Sequence, residues 1–159
     1  MGRNRATGLA STASCAGQEI KTGFDFTTHI RHLCEDICTR TPELGHIDMN
    51  RVAVCFNQAR KRVRHGLHAS LTPMRFEDGA TTGVRRGRRY ACQQLLGASG
   101  QEILYILRFY LPRFMDEGFQ QKLSTVFHEL WHISPKFDGD LRRHRGRCYI
   151  HTHSEAAYD

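Results

Sequence analysis

The chain has 159 residues, 40% hydrophobic and 25% charged, enough to bury one sizeable core and too short for two ordinary domains. Lys and Arg number 23 against 16 Asp and Glu, with 10 His, and the net charge of +7 suits acidic partners or nucleic acid. No run of about 18 apolar residues occurs, which excludes a membrane-spanning helix and predicts no membrane partner.

Residues 1–22 are rich in Gly, Ser, Thr, Ala and Arg without periodicity, and read as a flexible tail ahead of a single domain over 23–159. The tail has no apolar segment of the kind a signal peptide needs. Six cysteines (Cys15, Cys34, Cys38, Cys55, Cys92 and Cys148) form no C-x-x-C pair. Most read as reduced core residues, which points to a cytoplasmic setting.

From Thr27 or Thr28, either able to cap, Ile30, Leu33, Cys34, Ile37 and Cys38 recur at helical spacing, and the helix stops before Pro42. His29 and His32 near its start read as surface residues. Arg51 to Phe56 alternates Val52, Val54 and Phe56 on one face and predicts a strand, followed by a basic surface stretch over 57–65. Leu67 to Phe76 is a second strand, which Pro73 confines to an edge or a bulge. Glu77 to Gly87 reads as turn chemistry, and Arg88 to Leu96 as a third strand joined through a hairpin. Gln101 to Phe114 is the most apolar run, and its aromatic content and Pro112 favour a strand over a helix.

Phe119 to Ile133 contains neither Pro nor Gly, and Phe119, Leu123, Val126, Leu130 and Ile133 form one apolar stripe at helical spacing. On this helix His128, Glu129 and His132 make an HExxH pattern whose four-residue step puts both imidazoles on one face. Two such histidines and a third protein ligand can hold Zn²⁺ with one position open to water, and Glu129 then stands beside that water as general base. Phe127 and Trp131 flank the histidines and need cover, so the helix is expected between a core and the C-terminal segment. The order of elements predicts an α+β, zincin-like fold: an N-terminal helix, a mixed or antiparallel sheet of about four strands, the HExxH helix, and a short C-terminal segment completing the metal site.

The chain resembles the phage metallopeptidases. The resemblance rests on RFYLPRF at 108–114, KLSTVFHELWHISP at 122–135, FDGDLRRH at 137–144, Tyr158 and Asp159, with HIDMNRV at 46–52, QAR at 58–60 and PMRFEDG at 73–79 upstream, and covers 24–159. It implies a zincin fold, bound zinc and peptide-bond hydrolysis. A more distant similarity is to SprT-like zincins, some of which act on DNA-bound proteins.

The third ligand must follow His132, where Asp138, Asp140, His144, His151, His153 and Glu155 are available. Asp138 stands at the position used in HExxHxxGxxH and HExxHxxGxxD proteases, but Pro135 replaces the glycine of their turn. In SprT-like proteins the third histidine comes after a loop, and His151 in CYIHTHSEAAYD fits that layout, so His151 is favoured over His144, Asp138 and His153. Asp138 and Asp140 can alternatively accept the other ring N–H of a ligating histidine. Tyr149 and Tyr158 are candidate oxyanion donors. The expected function is a zinc metallopeptidase acting on a protein or peptide substrate. The alternative is a nucleic-acid-associated zincin-like protein, a protease of DNA-bound proteins or a binding module, suggested by the arginine clusters at 60–64, 85–89 and 142–147.

Overall fold

The computed structural model describes residues 23–59 and 66–143. The predicted N-terminal tail, the basic stretch over 60–65, and His144, Tyr149, His151, His153, Glu155, Tyr158 and Asp159 lie outside the described residues. The architecture is α+β: among the described residues, two helices accompany one mixed three-stranded sheet and two small antiparallel pairs.

Helix α1 spans Phe26–Arg40. Its cap is Asp25, whose Oδ1 accepts the Thr28 N–H at 3.1 Å, so neither Thr27 nor Thr28 fills the predicted capping role. A carboxylate offers the free N–H groups at a helix start a charged acceptor, and here it also takes both threonine hydroxyls. Ile30, Cys34, Ile37 and Cys38 are buried as the periodicity predicts, and the helix ends at Arg40 ahead of Pro42. His29 and His32 are exposed.

Strand β1 is Val52–Gln58, β2 is Ala69–Pro73, β3 is Thr82–Arg85 and β4 is Arg88–Ala91. Short β5 and β6 (Leu95–Leu96 and Glu102–Ile103) pair with each other, and β7 is Tyr105–Leu111. The main sheet has the order β1-β7-β2, with β1 parallel and β2 antiparallel to β7. The most apolar run therefore takes the central position, and Pro73 lies in an edge strand, where a residue without an N–H is tolerated. The predicted single sheet of about four strands is replaced by this smaller sheet and two pairs. The strand expected over 88–96 divides into β4 and β5. The stretch expected to be turn throughout supplies β3: its left-handed residues fall in two pairs, Asp78 with Gly79 (φ 55 and 75) and Arg86 with Gly87 (φ 51 and 74), which leaves Thr82–Arg85 extended and makes the second pair the tight hairpin turn.

Tyr105, Leu107 and Phe109 alternate on one face of β7 and are fully buried. Against them pack Phe26 and Ile30 of α1 and Val126 and Leu130 of the second helix, α2, which spans Phe119–Trp131. Phe109 meets Phe114 at 4.7 Å and Phe26 at 5.6 Å between ring centroids, the latter edge-on. Each such side chain contributes roughly 1.5–3 kcal/mol on burial, so this cluster anchors α2 on the sheet. Phe119, predicted in the buried stripe, is 74% exposed because it begins the helix, beyond the reach of the core. Cys55 and Cys92 are half-buried, whereas Cys34 and Cys38 belong to the core, and all four are free thiols. Burial pushes the Cys34 thiol up to about 12 and the Cys38 thiol up to about 11, leaving both protonated and inert. No helix among the described residues is long and apolar enough to cross a membrane.

Candidate metal centre

The stripe that holds α2 on the core also determines where its other residues point. Val126, Leu130 and Ile133 are fully buried, and the four-residue step between His128 and His132 brings their Nε2 atoms to 3.0 Å, with the rings nearly perpendicular at 86°. Two nitrogens bound at about 2.0–2.1 Å to a tetrahedral zinc stand about 3.3 Å apart. The pair therefore fits two adjacent corners of such a site after a shift of a few tenths of an ångström. His132 is 6% exposed and caps the helix, so its ring is held by the core.

Glu129, 8% exposed, lies between the two histidines in sequence, and burial pushes its carboxyl up to about 7. The backbone N–H of Leu71 donates to it and acts in the opposite direction. Among the described residues, that donor comes from the edge strand of the sheet. Tyr110 N–H donates to the His68 carbonyl and Met74 N–H to the Leu104 carbonyl, so the even-numbered residues of β2 face β7. Ala69, Leu71 and Pro73 consequently direct their backbone groups away from the sheet, and Leu71 meets Glu129 there. A buried Glu117 joins the same region: it pairs with His68, just before β2, and accepts from Thr125 Oγ1 at 3.4 Å, one helical turn before His128.

After His132 the chain turns at Ser134–Phe137 and returns antiparallel, with Ile133 opposite Leu141. Phe137 (φ 50) and Gly139 (φ 87) make this reversal, which Pro135 could not. Arg142 donates its N–H to the His132 carbonyl and its Nε to the Trp131 carbonyl, both at 2.7 Å, and its guanidinium lies 4.0 Å from the Trp131 ring centre. The predicted cover over Trp131 is thus Arg142, whereas Phe127 remains exposed.

Asp140 organises this return. Its Oδ2 accepts from the Asp78 N–H at 3.1 Å and its Oδ1 from the Leu141 N–H at 2.8 Å, while Arg143 donates to both oxygens at 2.9 and 3.1 Å. Burial draws the carboxyl upward, but the Arg143 guanidinium and the two N–H donors outweigh it and hold Asp140 below the ordinary aspartate range. These bonds bind the loop together, so of the two roles open to Asp140 it takes that of a structural turn and not that of an imidazole acceptor. Asp138 Oδ1 accepts the Asp140 N–H at 3.2 Å and its side chain packs against Gly79. Among the described residues no three His, Cys, Asp or Glu side chains converge to hold a metal, so Asp138 does not join the histidine pair. The favoured His151, with His144, His153 and Glu155, falls outside the described residues, as do Tyr149 and Tyr158.

The Leu71 amide, Glu117 and Tyr105 are absent from the sequence reading. Backbone donors carry no residue signature, and both carboxylate and phenol acquire their roles through contacts distant in sequence. An acid two residues before the helix is at most a hint for Glu117.

Comparison of the chain with protein-family models, with curated proteins and with solved structures finds no match.

Proposed function

We propose that the chain is a zinc-dependent metallopeptidase with a zincin-like fold, of the phage metallopeptidase kind its motifs resemble, acting on protein or peptide substrates in the cytoplasm. One observation carries the reading: His128, half-buried, and His132, buried, converge to 3.0 Å on a core-anchored helix, with buried Glu129 beside the edge strand of the described sheet. His128 and His132 would hold the metal, with His151 as the third ligand. Zinc, when bound, supplies Lewis acidity to water and to the scissile carbonyl.

Glu129 takes a proton from the attacking water as its oxygen bonds to the peptide carbonyl carbon, then delivers that proton to the leaving amine as the C–N bond breaks. The Leu71 N–H orients the carboxylate for both transfers. The outward backbone groups of Ala69, and the Leu71 and Pro73 carbonyls, can pair with an extended peptide laid along β2. Exposed Phe127 and Phe119 on α2 offer apolar surface for substrate side chains. The four free thiols of the described residues fit a reducing compartment.

Zinc stoichiometry and peptide-library cleavage by the purified full chain test this. About one zinc per chain is expected, with Glu129→Gln retaining the metal while turnover falls by roughly 10²–10⁴. His151→Ala should lose zinc and Asp138→Ala should keep it. A chain that binds no zinc, or a fully active Glu129→Gln variant, overturns the mechanism.

A further inference from the structure

The β3–β4 hairpin has no part in the candidate metal centre, yet it concentrates charge more than any other described element. Four of the five residues Arg85–Arg89 are arginine. The turn is made by Arg86 and Gly87 at φ 51 and 74, the backbone of a tight hairpin whose twist suits its strands. Register places Arg85 directly opposite Arg88, and Val84 opposite Arg89. Like charges directly opposite each other destabilise an antiparallel pair.

Among the described residues nothing nearby offsets this. None of Arg85, Arg86, Arg88 and Arg89 forms an ion pair among the described residues. The acids at the hairpin base are already engaged, Glu77 with Arg143 at 3.4 Å and Asp78 with Lys136 at 3.0 Å. The two strands pack chiefly on each other, and Phe76 against Gly83 is their anchor. Val84 is 73% and Tyr90 46% exposed, so the ribbon spends its apolar side chains on solvent as well. A two-stranded ribbon gains little stability by itself, and this one carries an added electrostatic cost.

We propose that the β3–β4 hairpin is a binding site for duplex DNA, entering the major groove with Arg85, Arg86, Arg88 and Arg89 on the flanking phosphates. The major groove of B-form DNA, about 12 Å wide, admits a two-stranded ribbon, whereas that of A-form RNA is too narrow. Four-residue strands give the ribbon a length of about 13 Å, enough to pass the groove's depth of about 8.5 Å. Phosphates on both walls then neutralise the Arg85–Arg88 repulsion. Guanidinium forks match phosphate oxygens in pairs, which explains arginine in place of lysine at all four positions. The site is independent of the zinc reading: it needs neither His128 nor Glu129.

Fluorescence anisotropy of the full chain with a labelled duplex of mixed sequence, between about 50 and 200 mM salt, tests the site. Affinity should fall steeply with salt. The combined variant Arg85→Gln, Arg86→Gln, Arg88→Gln, Arg89→Gln should weaken low-salt binding at least about tenfold and reduce the log–log salt slope by about 3–4. All four side chains are exposed, so the variant should keep the parent circular dichroism. Arg31→Gln with Arg40→Gln on α1 removes two charges, as Arg85→Gln with Arg88→Gln does in the hairpin; the hairpin pair should lower the slope by about 2 and the α1 pair should change it little, while Glu129→Gln should bind as the parent does. Any one of four results overturns the proposal: no duplex binding at low salt, equal losses in the hairpin and α1 variants, equal affinity for duplex RNA, or binding confined to single strands or anionic vesicles.

Discussion

The Tyr105 hydroxyl donates to the Asp140 carbonyl at 2.8 Å and accepts the Gly139 N–H at 3.0 Å, tying the central strand to the loop that returns from the metal helix. The ring is fully buried, and burial pushes the phenol up to about 12, so it remains a neutral donor. Tyr105→Phe leaves a buried carbonyl and a buried N–H without this partner. A loss of about 1–3 kcal/mol is expected, read as a lower urea midpoint at unchanged m-value.

Zinc binding to the folded chain should stabilise it by mass action. At free zinc about 100-fold above the dissociation constant the gain is roughly 2.7 kcal/mol, a rise in Tm of about 5–10 °C. His132→Ala should abolish that rise and Asp138→Ala should preserve it, as measured by thermal unfolding with and without a chelator. An unchanged shift in His132→Ala would place the metal elsewhere.

Asp140 links stability to pH. Its folded carboxyl titrates below the ordinary value of 3.8, so its contribution is present in full above that value and is lost as pH falls through the folded pKa. Asp140→Asn should cost about 1–2 kcal/mol near neutrality. Urea unfolding across a pH series should show the gap to the parent closing below pH 3.8, and a constant gap would argue against charge as its source.

Two glycines should respond in opposite directions. At Gly139 (φ 87) an added Cβ would lie 2.5 Å from Arg75 Cγ, and Arg75 cannot swing aside freely because Glu102 pairs with it. Gly139→Ala should cost about 1–3 kcal/mol. Gly118 caps α2 at φ −66 with open space around it and no side-chain cap. Gly118→Ser should gain a few tenths of a kcal/mol by supplying a hydroxyl to the first free N–H groups. Chemical unfolding of both variants reads the contrast.

Elements with local signals could be read from the order of amino acids alone. Ile30 to Cys38 and Leu123 to Ile133 repeat at the period of a helix, Pro73 marks an edge strand, and the apolar run ending at Pro112 becomes the central strand. The histidine pair was legible for the same reason, since a four-residue step on a helix fixes which side chains meet whatever surrounds them. The arginine hairpin was half legible: its charge was visible, but β3 was hidden in a stretch rich in turn residues. Packing, in contrast, sets that Leu71 turns its N–H to Glu129, that Asp140 binds Arg143 and the Asp78 amide, and that Asp138 stays away from the histidines. Each of these is a contact between segments far apart in the chain, chosen by strand register and by which buried polar groups need partners, and neither leaves a local pattern to read.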